Sequence, residues 1–131
     1  MPLFAALENQ ETQAGYTECI TELAIKGKHC QELLLLPIIS HLSSSDDSRW
    51  VTWINPPPLN RSKLKEFGLD QRPILIINTK SQAETNALLL RCLNNGRSNT
   101  VIANIEDDSA LDRRQLCYAA NNGNSHCLLV L

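Results

Sequence analysis

The chain reads as α/β, a three-layer open sheet of mostly parallel strands, and three features of its second half predict this. Residues 73–78 (Pro-Ile-Leu-Ile-Ile-Asn) form an almost continuous apolar run, the pattern of a strand covered on both faces. Ser81 and Glu84 have the spacing of a helix-opening capping box, and Asn94-Asn95-Gly96 supplies the left-handed exit for a helix that ends at Leu93. The order strand, helix, strand, helix, strand over residues 73–131 then calls for parallel pairing through right-handed crossovers.

The elements follow in order. Residues 1–15, which include the polar run 8–13, are expected to form an arm with little fixed structure, ahead of a single domain over 16–131. Residues 16–26 allow a strand with Cys19, Leu23 and Ile25 on one face, although Ile20 breaks the alternation. Residues 29–42 read as a leucine-rich helix with Pro37 inside it, which kinks or restarts it. After the loop 43–48, the stretch Ser48-Arg49-Trp50-Val51-Thr52-Trp53-Ile54-Asn55 is a strand holding both tryptophans. Three prolines, Pro56 to Pro58, stop it. Bulky residues on both its faces place it inside the sheet, with both tryptophans as anchors. Asn60 can cap a short helix over 61–67, ended by Gly68. Residues 100–105 form the next strand. Ser109 and Asp112 open a helix to Ala120 that Asn121-Asn122-Gly123 closes, and 127–131 is the last strand. The two Asn-Asn-Gly exits look like one helix-to-strand joint used twice.

Composition excludes several classes. With 131 residues and 43% apolar content the chain can bury a core, and its net charge of −2 gives no global case for nucleic acid or an acidic membrane. Charge is uneven, however: residues 49–72 carry five bases against two acids, +3, which leaves −5 for the remainder. No apolar run approaches the roughly 18–20 residues of a membrane span. The N-terminus has no basic region leading into an apolar one, so the expected location is the cytoplasm. There the five cysteines should be reduced, and none has the C-x-x-C spacing of zinc or thioredoxin sites. Buried thiols are their expected role.

No catalytic constellation emerges. A phosphate cradle needs glycines, and neither G-x-G-x-x-G nor G-x-x-x-x-G-K-[ST] is present. Gly27-Lys28 is the nearest fragment, with Glu22 and His29 in the wrong places. Glu106-Asp107-Asp108 superficially resembles a magnesium-binding strand end, but acids at a helix N-terminus explain it better. No nucleophile elbow occurs, and His126 and Cys127, as strand neighbours, should point to opposite faces. No cofactor or metal is expected, and a binding module is the better reading.

Leu33-Leu34-Leu35-Leu36-Pro37, Ser48-Arg49-Trp50 with Trp53 three residues on, Gly68-Leu69, and Ala119-Ala120-Asn121-Asn122-Gly123-Asn124 together resemble the bacterial cell-division inhibitor family SulA. The resemblance runs from about residue 16 to 130. It implies a RecA-like fold that has lost its nucleotide site, in agreement with the missing phosphate loop. It also implies a non-enzymatic inhibitor of the SOS response that binds FtsZ, the tubulin-like division GTPase. Occupying the FtsZ face that completes the next subunit's GTPase site would block polymerisation and lower GTP turnover indirectly. Nucleic acid and membrane are not implied partners; Lon protease is, and homodimerisation stays open. The family usually has a longer C-terminal tail that presents it to Lon, whereas this sequence ends at Leu131, leaving the segment that Lon would take undefined.

The family's interaction residues carry over as Arg49, as Ile54 after the second tryptophan, as Lys63 where the family has a tryptophan, and as Arg72. Arg61 and Lys65 complete the basic set. Each has a plainer alternative. Ile54 could be core, Arg49 could hold the preceding loop through Asp46 or Asp47, and Arg61 and Lys65 could be solvated surface charges. The rival readings are a degenerate nucleotide-binding ATPase-like protein and a DNA-repair accessory of RecA-like fold.

Overall fold

A computed structural model describes residues 20–24, 31–43 and 48–131. Five strands, β1 (Ile20–Leu23), β2 (Trp50–Ile54), β3 (Ile74–Ile77), β4 (Ser98–Asn104) and β5 (His126–Val130), form one sheet in the order β1-β5-β4-β2-β3. Every pairing is parallel. Helices α1 (Gln31–Leu42) and α2 (Arg61–Glu66), with a single 3-10 turn at Leu69–Gln71, precede β2 and β3. Helices α3 (Gln82–Asn94) and α4 (Arg113–Gly123) precede β4 and β5.

Two cores follow from strand alternation, since successive side chains point to opposite faces. On one face Val51, Trp53, Ile102 and Leu128 meet Leu35, Leu36 and Ile39 of α1, with Leu64 and Phe67 from the α2 region at the margin. On the other, Ile54, Val101, Ala103, Cys127 and Leu129 meet Leu89 and Leu93 of α3 and Leu116 and Ala120 of α4. The three-layer α/β architecture is therefore as expected. Ile20 did not break a pattern: it packs in the second core while Leu23 packs against the first, so β1 is apolar on both sides.

Local chemistry accounts for the helix starts. Asn60 accepts from the Ser62 N–H, Ser81 from Glu84 N–H, and Asp112 from Arg114 and Gln115 N–H. Ser109 thus lies upstream of the cap. Glu106, Asp107 and Asp108 likewise precede the helix rather than occupy its first turn: Asp107 accepts from Ser109 N–H, and Asp108 pairs with Arg113 at 3.0 Å. Those hydrogen bonds hold the Asp107 carboxyl below its usual range.

Three further expectations need correction. β3 is an edge strand and not a covered one, with Leu75 and Ile76 at 42% and 47% exposure. A short apolar run fits either position, so periodicity cannot separate them. Trp53 is buried and donates from Nε1 to Asn104 Oδ1 at 2.8 Å, but Trp50 is 46% exposed and anchors nothing comparable. The two Asn-Asn-Gly exits also differ. Gly96 takes the left-handed conformation (φ +73°), whereas Gly123 stays within α4 and Asn124 turns left-handed instead (φ +50°). Gly123 serves contact, because a Cβ there would lie 1.7 Å from the Leu93 carbonyl oxygen. The expected arm over 1–15, Cys19, Gly27-Lys28, His29 and Asp46-Asp47 lie outside the described residues.

Candidate functional site

Because strands run one way and helices return the other, all helix C-termini gather at the amino edge of the sheet, and their partial negative charges gather with them. Arg49, just before β2, answers this. Its guanidinium donates to the carbonyls of Gly96 (3.2 Å), Gly123 (2.9 Å) and Asn124 (2.8 Å), joining the exits of α3 and α4. Arg72, just before β3, donates to the Ser43 carbonyl after α1. A planar fork with several N–H groups suits such multiple carbonyls, as an ammonium would not. Arg49 therefore has a supporting role that the sequence reading assigned to the acidic loop.

The carboxyl edge is built differently. A cleft of about 910 Å³ opens there, lined by Asn55 to Pro58, Thr79 to Gln82, and Asn104 to Glu106 among others. This is where open α/β sheets bind nucleotides. Asn55, with φ +56°, pins the strand exit: its amide donates to Thr79 and Thr85 hydroxyls, and its carbonyl accepts Thr79 N–H at 2.8 Å. Asparagine tolerates that backbone conformation better than most residues. Two further N–H groups near the start of α3 are taken by side chains, Lys80 N–H by Glu84 and Glu84 N–H by Ser81. Side chains thus occupy the N–H groups of Thr79, Lys80 and Glu84 around this exit, and Glu84 and Glu106 add negative charge beside them. The sequence reading missed Asn55; an asparagine at a proline-stopped strand exit was the available signal.

The six expected interaction residues do not form one patch. Arg49 and Arg72 sit at the amino edge with their guanidiniums on carbonyls. Ile54 is fully buried in the core against α3 and α4, so its expected contact role is corrected to packing. Its position at the end of a strand flanked by two others leaves its side chain no route to a partner. Arg61 and Lys65 are exposed on α2, while Lys63 is half-buried and pairs with Glu66 at 3.5 Å. Exposed pairs of this kind contribute little stability. Leu64 and Phe67 turn the opposite side of that segment into the core. α2 is thus a small amphipathic helix presenting a basic surface next to the open edge at β3.

Among the described residues, no group of three or more His, Cys, Asp or Glu side chains comes together for a metal. Cys92, Cys117 and Cys127 are buried and outside any disulfide, and burial pushes the Cys92 thiol up, away from nucleophilic reactivity. Cys127 and His126 do face opposite sides of the sheet, Cys127 into the core with α3 and α4. Among the described residues no helix is long and apolar enough to cross a membrane.

An all-parallel α/β sheet with a cleft at its carboxyl edge and a basic helix at one flank is a nucleotide-type architecture. Residues 18–127 match the model of the family "Cell division inhibitor SulA". The chain is 39% identical to the cell division inhibitor SulA of Pseudomonas aeruginosa over 97% of its own length and 81% of that protein's. It is 31% identical to that of Klebsiella aerogenes over 70% of this chain, and there it spans 54% of the relative's length. The crystal structure of SulA from Pseudomonas aeruginosa superposes with a TM-score of 0.72 at 36% identity, covering 86% of this chain and 97% of that one. The chain belongs to the SulA family of cell division inhibitors.

Proposed function

We propose that this protein inhibits cell division during the SOS response by binding FtsZ subunits, which blocks polymerisation and lowers GTP turnover indirectly. Family membership over residues 18–127 carries the reading. The structure supports it by offering a basic, solvent-facing helix, with Arg61 and Lys65 exposed, suited to an acidic protein surface. It needs no reaction of its own, and the occupied N–H groups at α3 weigh against a nucleotide-dependent alternative. The cytoplasm, where FtsZ assembles, is the compartment this function requires. Lon protease is the proposed agent of its removal, which predicts a longer half-life in a host lacking Lon.

Purified protein added to FtsZ at near-equal amounts should reduce both sedimentable polymer and GTP hydrolysis. Unchanged polymer with this protein in excess contradicts the proposal. Tight ATP or GTP binding by calorimetry would favour the ATPase-like reading instead, and a salt-dependent gel shift the DNA-accessory one.

A further inference from the structure

The two faces of the sheet are covered unequally toward β3. On the face of α1 and α2, Ile74 joins the first core together with Leu64, Phe67 and Leu69 of the α2 region. On the opposite face α3 and α4 supply the cover, and it stops short of the last strand. Alternation sets Leu75 on that face with Ile77, which packs against the second core. It sets Trp50 and Thr52 there with Ile54, and Thr52 lies opposite Leu75 in the sheet. Thr52 is buried, but Trp50 and Leu75 are each more than 40% exposed.

Helix α3 is the wall of the resulting groove. Its Leu93–Gly96 end touches Gly123 of α4, and Thr85, Leu89 and Cys92 face the core. With those two directions fixed, helical periodicity turns Leu88 and Arg91 toward β3. Leu88 is partly buried against the second core, and Arg91 is exposed. Arg97, also exposed, stands at the amino end of the groove, where its carbonyl accepts Trp50 N–H at 3.1 Å. The floor and inner wall are thus apolar, and two guanidinium groups stand at one end.

We propose that this groove docks an amphipathic helix of a partner protein, with its apolar stripe on Trp50, Leu75 and Leu88 and its carboxylates toward Arg91 and Arg97. A helix is the element that covers the face of such a sheet, and here it would lie beside α3 and complete the layer. The four residues of β3 span about 13 Å, the length of roughly nine helical residues. The two arginines select acidic partners over basic ones. The groove lies on the opposite face of the sheet from α2, so the inference goes beyond FtsZ binding through that helix and stands or falls without it.

Tryptophan emission of the full chain tests it, because Trp53 is already buried and Trp50 is the indole that a ligand can cover. The probe is a synthetic helix of about 18 residues with leucines along one stripe and glutamates beside it, compared with a twin carrying lysines instead. The expected result is a saturable blue shift with the glutamate peptide and binding at least about tenfold weaker with the lysine twin. Trp50→Phe should abolish the shift. Leu75→Glu should weaken binding more than about tenfold with an unchanged circular dichroism spectrum. Arg91→Glu should weaken the glutamate peptide and favour its twin. Emission that the glutamate peptide does not move overturns the proposal, whether this chain's own residues or a second copy already fill the groove. So does equal binding of the two peptides, a shift that persists in Trp50→Phe, or binding indifferent to Leu75→Glu.

Discussion

At the amino edge of the sheet, positive side chains reach helix C-termini: Arg49 bonds three carbonyls from α3 and α4, and Arg72 bonds the one after α1. At the carboxyl edge the logic is inverted, because there side-chain oxygens of Asn55, Ser81 and Glu84 occupy N–H groups. In nucleotide-binding sheets those N–H groups hold phosphate. Here the chain's own side chains take three of them, those of Thr79, Lys80 and Glu84. Both edges thus spend side chains on the fold's own backbone, whereas the flank bearing α2 presents Arg61 and Lys65 to solvent.

That contrast can be broken most severely at the amino edge. Gly123→Ala would force a methyl to 1.7 Å from the Leu93 carbonyl oxygen, so α3 and α4 must separate. The expected loss is about 3 kcal/mol or more, read as a fall in Tm of roughly 10 °C. A melting curve equal to the parent's would show that the helices are not held this closely.

Next comes Arg49→Ala, which removes three charge-assisted bonds from a half-buried position. About 2 kcal/mol should be lost in denaturant melts. Arg49→Lys should recover only part of it, since one ammonium cannot span three carbonyls. Full stability in both variants would return Arg49 to a direct contact role.

Asn55→Ala tests the carboxyl edge. It strips the bonds to Thr79 and Thr85 and leaves a left-handed backbone on alanine, for about 1–2 kcal/mol by chemical denaturation. An unchanged midpoint would mean that the proline-stopped exit holds itself.

The smallest effect concerns pH. Burial, with His41 nearby, keeps the His126 imidazole below its usual range, so the folded state resists its protonation. The unfolded chain takes up that proton first as pH falls past the ordinary imidazole value. Stability should therefore decline from just above that value down through the lowered folded one. His126→Gln should flatten this slope in thermal melts across the window, and an equal slope in both proteins would contradict the assignment.

Much of this was legible in the sequence. The caps at Asn60, Ser81 and Asp112 announce themselves because a short polar side chain before an amphipathic run has a local job. The parallel sheet followed from alternation of strands and helices, and the family from its motifs. What escaped was non-local. Nothing near Arg49 in sequence reveals carbonyls that lie 47 and 74 residues away. An apolar strand such as β3 reads the same at an edge as at the centre. Ile54 kept interface and core readings open because position along a strand does not disclose which layer covers it. Gly123 looked like the helix end that Gly96 is, until contact with Leu93 gave it a different purpose.

In the proposed function α2 meets the partner while the arginines of the amino edge maintain the fold. Arg61→Glu with Lys65→Glu, compared with the parent protein in an FtsZ sedimentation assay, tests it most directly. Both side chains are exposed, so stability should change by no more than about 0.5 kcal/mol. The parent should deplete sedimentable FtsZ polymer, and the double variant, equally folded, should not. A folded double variant that inhibits as well as the parent would contradict it.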